Sequence, residues 1–176
     1  MKTNQVLCAV TVLLLVGMTV VLSAYLVVLP SETTAVSAFL SFPRAGENGA
    51  SEDELMDPLI AARGDVVPQV IRALPKIPMP MRRYAIAFFG NQGDRRALPL
   101  LQTIVANDSE SDVLRGDALL SIGMIDAVEG RRLAASYALA GGHLAGASED
   151  VSEGRFFEHR TRDVAIRNVV SKKLGL

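Results

Sequence analysis

The segment RRYAIAFFG at residues 82–90 decides the fold, because its pattern returns at 115–123 and again at 162–169. Each copy has an arginine, an alanine three positions on, and large apolar residues at offsets four and seven. Offsets of 0, 3, 4 and 7 share one face of an α-helix, so the alanine permits close approach and the larger side chains fill the contact. The residues that carry this repeat motif are Arg82, Ala85, Ile86, Phe89, Arg115, Ala118, Leu119, Ile122, Arg162, Ala165, Ile166 and Val169.

The first two copies start 33 residues apart, and each ends on a glycine, Gly90 or Gly123. A short turn and a second amphipathic segment follow each of them, so the repeating unit is predicted to be a helical hairpin. A hairpin of this size cannot bury its apolar face alone. The sequence therefore predicts stacked hairpins that share one core and form a short, curved α-solenoid.

Caps and turns divide the rest of the chain, and strand signals are absent. Ser51 with Glu54 has capping-box spacing, as does Asp126 with Glu129. Prolines crowd residues 75–80 and predict a stiff link after the first hairpin. The predicted fold class is all-α, with helices near 52–63, 66–74, 80–89, 95–106, 111–123, 127–140 and 157–173.

The recurring hairpin resembles those of HEAT-repeat proteins, particularly the short bacterial HEAT-like repeats found in phycobilisome lyases. The resemblance covers residues 51–176 and implies a protein-binding solenoid. The chain departs from the pattern in two places: the first hairpin, 55–74, lacks the arginine motif, and fourteen extra residues separate the second and third copies. Lyase activity toward bilins is not expected, because no matching active-site motif can be named.

The amino-terminal part is different, because residues 6–29 carry no charged side chain. Twenty-four residues at about 1.5 Å each give about 36 Å, enough to cross a hydrocarbon core of about 30 Å. The prediction is a single transmembrane helix over 6–29, between a terminus at 1–5 and a tether at 30–50 that leads into the repeat domain at 51–176. A cleaved signal peptide, cut after Ala38, is the alternative.

The flanks of this segment set the predicted location. Lys2 lies before it, whereas Glu32 and Arg44 roughly cancel after it. Because positive flanks stay in the cytoplasm, residues 1–5 are expected there, in a single-pass protein of the cell membrane. The repeat domain would then lie outside the cytoplasm, in the periplasm if the source is bacterial.

Residues suited to catalysis are scarce. His143 and His159 lie sixteen positions apart and do not have metal-ligand spacing. Cys8 is the only cysteine, and neither a nucleophile motif nor a phosphate-binding glycine loop is present. The net charge of -1 disfavours a nucleic-acid partner. We therefore expect no enzyme, no cofactor and no metal.

Two groups of basic residues are candidates for contacts. The motif arginines are expected to pair with aspartates of neighbouring units, such as Asp94, Asp117 or Asp163, or else to meet a partner. The last segment has a local positive excess, and the alternative there is a polar capping helix. Its predicted partner-binding residues are Arg155, Phe156, Phe157, Arg160, Arg167, Lys172 and Lys173.

Together these patterns predict a non-catalytic, membrane-anchored scaffold subunit of a membrane protein complex. Its partners would be the protein subunits of that complex, and the lipid bilayer through residues 6–29. The alternative is a secreted or tethered assembly factor or enzyme accessory with a HEAT-like binding surface.

Overall fold

The computed structural model describes the backbone of residues 2–40, 52–155 and 162–176, and the side chains of 10–24, 27–40, 55–155 and 162–176. Over these residues the chain forms helices and no sheet, so the all-α prediction is confirmed. The helices are α1 (Lys2–Val28), α2 (Glu32–Leu40), α3 (Glu52–Ala61), α4 (Val67–Ala73), α5 (Met81–Gln92), α6 (Leu98–Ala106), α7 (Asp112–Ile125), α8 (Ala127–Tyr137), α9 (Gly142–Glu153) and α10 (Arg162–Leu174).

The helices α3, α5, α7 and α9 lie side by side in a row, and each packs on the next. The helices α6 and α8 form a second layer, with α6 against α7 and α8 against both α7 and α9. One continuous core lies between them. The motif residues Ala85, Ile86 and Phe89 are fully buried in this core, as are their counterparts Ala118, Leu119 and Ile122. Neighbouring hairpins therefore share their apolar faces, as the repeat pattern predicts.

Turn chemistry fixes where the helices begin and end. Gly93 ends α5 with a left-handed backbone at φ 65°, a conformation that glycine adopts without a steric penalty. Asp126 caps α8, since its carboxylate accepts hydrogen bonds from the amides of Val128 and Glu129. The predicted cap of α8 is thus confirmed. The other predicted capping box is not tested, because Ser51 lies outside the described residues.

The prediction of a transmembrane helix over residues 6–29 is wrong. A helix, α1, does form there, but among the described residues no helix is both long and apolar enough to cross a membrane. The description as a single-pass membrane protein does not hold, and the predicted cellular location stays untested.

Residues 30–40 are also more ordered than the predicted tether. They contain α2, which packs on α3 and buries Ala35, Val36 and Phe39. The amide of Arg63 donates to the carbonyl of Pro30 at 3.0 Å. Ala38, the alternative cleavage position, lies inside this helix. The end of α1 is therefore held against the first hairpin.

A further helix, α9, lies between the helices predicted near 127–140 and 157–173. Glycine, serine and alanine dominate it, which hides the helical pattern. Its buried side chains, Leu144, Ala147 and Val151, nevertheless have helical spacing and face α7 and α8. Helix α9 therefore closes the far end of the row.

The third motif copy does not extend the stack beyond α9. It forms α10, whose main neighbours are α3 and the end of α1. The order across the row is thus α10, α3, α5, α7 and α9, with the last helix of the chain placed before the first hairpin. The row therefore does not follow chain order, and Ala165 is buried at its front.

We predict that Gly130→Ala destabilises the stack, whereas Gly146→Ala stabilises it slightly. A Cβ on Gly130 would lie 2.5 Å from the Cα of Gly123, so α7 and α8 would have to separate. Gly146 has nothing within 4 Å of such a Cβ. We expect a loss of about 1–3 kcal/mol for G130A and a gain of about 0.5–1 kcal/mol for G146A in urea unfolding followed by circular dichroism. Equal gains for both variants would contradict the close approach of these helices.

Candidate functional site

A line of ion pairs runs along one edge of the stack. It joins the turns that precede the second helix of each successive hairpin. Arg96 bridges two turns, with its Nη1 2.5 Å from Asp65 Oδ2 and its Nη2 2.5 Å from Asp94 Oδ2. Arg95 reaches forward instead, with its Nη2 2.7 Å from Asp126 Oδ2. Each carboxylate also accepts a backbone amide at a helix start. The edge therefore combines helix capping with contacts between repeats.

These contacts change the acidity of the capping carboxylates. The side-chain hydrogen bond from Arg96 holds the pKa of Asp94 below its usual value. For Asp126, the hydrogen bond from the amide of Glu129 is the largest cause of a lowered pKa, with a further contribution from Arg95. Both groups are stabilised as carboxylates, because hydrogen bonds to the charged form favour it. Their arrangement is suited to holding structure rather than to proton transfer near neutral pH.

A second polar group crosses the row. Asp117 on α7 accepts a hydrogen bond from Arg83 Nε of α5 at 2.7 Å, and its Oδ1 lies 2.9 Å from His143 Nε2 of α9. The amide of His143 is also bound by Asp112 of α7. His143 is thus tied to α7 at both its ring and its backbone. The group links three successive helices of the row and is structural.

The motif arginines have partners other than the predicted aspartates. Arg82 pairs with Glu110 at 3.3 Å, and Arg115 pairs with Asp108 at 2.8 Å. Arg162 donates to the carbonyl of Ala62 at 3.1 Å. Further pairs between repeats run through the neighbouring residues Arg83, Arg95 and Arg96. The Gly-Asp pairs at 64–65 and 93–94 are the sequence signal that could have located this line.

A cavity of about 230 Å³ opens beside this line of ion pairs, between the first two hairpins and α10. Its polar groups include two arginines and two aspartates, and these arginines already hold protein groups. Among the described residues, no group of three or more His, Cys, Asp or Glu side chains could hold a metal ion. The cavity is lined by Leu59, Ile60, Ala62, Gly64, Asp65, Val66, Val67, Gln92, Asp94, Arg96 and Arg162.

The predicted basic contact patch is divided by the fold. Arg155 follows α9 and pairs with Glu149, Asp150 and Glu153. The remaining described members, Arg167, Lys172 and Lys173, lie on α10 at the opposite end of the row. Lys173 Nζ donates to the carbonyl of Val28 at 2.8 Å. The predicted residues Phe156, Phe157 and Arg160, like His159, lie outside the described residues.

Most of the exposed large apolar side chains among the described residues belong to α1. Its large side chains over residues 10–22 are between 49% and 72% exposed. Folded chains rarely leave a continuous apolar surface of this extent uncovered, and larger patches mark interaction sites. This surface, which we call the α1 surface, consists of Val10, Val12, Leu13, Leu14, Leu15, Val16, Met18, Val20, Val21 and Leu22.

Comparison with known proteins gives no family for the chain: no family model, no curated protein and no solved structure matches it. The resemblance to HEAT-like repeats therefore stays a prediction.

We predict that Asp94→Asn lowers the stability of the stack at neutral pH and weakens its response to acid. The folded-state pKa of Asp94 lies below the ordinary value of 3.8, so its contribution to stability is complete above that pH and is lost as the pH falls through the folded-state value. Thermal midpoints at pH 7 and at about pH 3 should differ less in D94N than in the unmodified chain. In an Arg96→Gln background the effect of D94N on stability should shrink, because Arg96 is the main cause of the lowered pKa of Asp94. An unchanged acid response in D94N would contradict this origin.

Proposed function

We propose that this chain is a non-catalytic interaction subunit that binds a partner protein through the α1 surface and presents a rigid helical stack beside it. The exposed apolar side chains of α1 are the observation that supports this proposal. Their burial against a partner would be favourable by roughly 25 cal/mol for each Å² removed from water. A partner with an apolar groove or an apolar helix face has the matching chemistry.

The attachment of α1 to the stack supports a scaffold role, because α1 is held in place and is not a flexible tether. Its last turn is held by Lys173 of α10, and Pro30 and Ser31 pair with Arg63 of the first hairpin. Glu32 Oε1 accepts a hydrogen bond from Gln69 Nε2 at 2.6 Å. A partner bound on α1 would therefore stand at a defined position relative to the repeats.

The stack itself is suited to be a rigid surface on which a partner protein binds. Its helices are joined by a shared core and by ion pairs between successive units, so the outer surface keeps its shape. Helical stacks bind by shape over extended surfaces and need no cofactor. A non-catalytic role also agrees with polar groups that are already bound to one another in the described structure.

An assembly factor is the second candidate, and stoichiometry separates the two. A subunit stays with its partners at a fixed ratio through gentle purification, whereas an assembly factor is recovered in small and variable amounts. A metal or cofactor that copurifies with the chain would count against the non-catalytic proposal.

We predict that Leu14→Glu on the α1 surface abolishes stable partner binding. A carboxylate in an apolar contact would have to be buried without a partner charge, which is costly. The copurified partner should fall at least tenfold, on the order of 1.4 kcal/mol or more in binding free energy. The matched control is Leu139→Glu, which makes the same change at a fully exposed leucine away from α1. Equal partner recovery with both variants would contradict a role for the α1 surface.

A further inference from the structure

Helix α10 occupies the place that a preceding repeat would take. It carries the same motif as α5 and α7, and it packs on α3 as α5 packs on α7. Ala165 is fully buried at the contact, while Ile166 and Val169 are partly buried against the core. The alanine thus permits close approach to α3, as it does in the other two copies.

Three hydrogen bonds fix the register of α10. Arg162 Nη2 donates to the carbonyl of Ala62 at 3.1 Å, and Asn168 Nδ2 donates to Asp57 Oδ2 at 2.9 Å. The third is the bond from Lys173 to Val28. They connect residues 100, 111 and 145 positions apart. Asp57 is only 3% exposed, so Asn168 meets a polar group deep in the contact.

We infer that this edge of α3 is a docking site for an amphipathic helix of the α10 type, and that a second copy of the chain is the partner that fits it. The chain's own α10 is the resident occupant and keeps the edge covered. This inference goes beyond the proposed function, because it concerns the front of the row and not the α1 surface.

The occupant follows from the contacts themselves. The site requires an alanine between aliphatic residues, an asparagine three positions after that alanine, and cationic groups near both ends. The α10 of another copy meets every requirement in the same register. The chain's own α10 has the advantage of high effective concentration, which is of millimolar order for short connections. Exchange between copies is therefore expected when the resident helix is weakened.

The test uses the full chain with Ala165→Glu, which places a charge in the contact with α3 and should release α10. A fluorescently labelled peptide of residues 162–176 is then titrated, and its anisotropy is measured. We expect saturable binding to A165E and at least tenfold weaker binding to the unmodified chain, whose edge is occupied. Arg167→Glu is the control on the same helix, at an exposed position, and should behave as the unmodified chain does.

Two further variants keep the result clear. Asn168→Ala removes one hydrogen bond without adding a charge, so it should show intermediate peptide binding even if A165E loses helical content. Asp57→Lys blocks the edge of α3 that receives α10, because it removes the carboxylate that binds Asn168. It leaves α10 itself intact. Mixing D57K with A165E should give a one-to-one dimer by light scattering, whereas each variant alone stays monomeric.

Three results would overturn the inference: no peptide binding by A165E and N168A with the other helices folded, equal binding by a sequence-scrambled peptide, or no dimer in the mixture. None of these results would affect the α1 proposal, since Leu14→Glu changes neither α3 nor α10.

Discussion

The close approach between the first helices of successive hairpins is the constraint on which the rest of the structure depends. The alanines at 85 and 118 have no exposed surface, and the aliphatic and aromatic residues beside them fill the space between neighbours. Gly130 does the same between α7 and α8, where a methyl group would meet the backbone of Gly123. Interiors packed at this density do not adjust smoothly to added volume. The spacing of the row is therefore fixed by its smallest residues.

The polar contacts depend on that spacing. Arg96 can reach the turns of two units, and Asp117 can meet both Arg83 and His143, because the helices between them stand at a fixed distance. Exposed ion pairs of this kind contribute little individually. Their main effect is to specify which turn faces which, while burial of the apolar faces supplies the stability.

The two ends of the chain complete the molecule in different ways. Helix α10 covers the front edge of the row, where the first hairpin would otherwise expose the face that a preceding repeat covers. Helix α1 leaves the stack with its apolar side chains exposed over residues 10–22. A stack closed at its front and an uncovered apolar helix together support the proposal that a partner binds at α1.

The sequence alone determined the helical class and the buried faces of α5 and α7, because apolar spacing and capping residues are local signals. It located the cap at Asp126, but it missed α9, whose small residues hide the helical pattern, and it assigned the motif arginines to the wrong partners. The position of α10 and the division of the basic residues between opposite ends were decided only by tertiary structure. Contacts such as Asn168 with Asp57 join residues 111 positions apart, and no local pattern specifies which of several similar helix faces will meet.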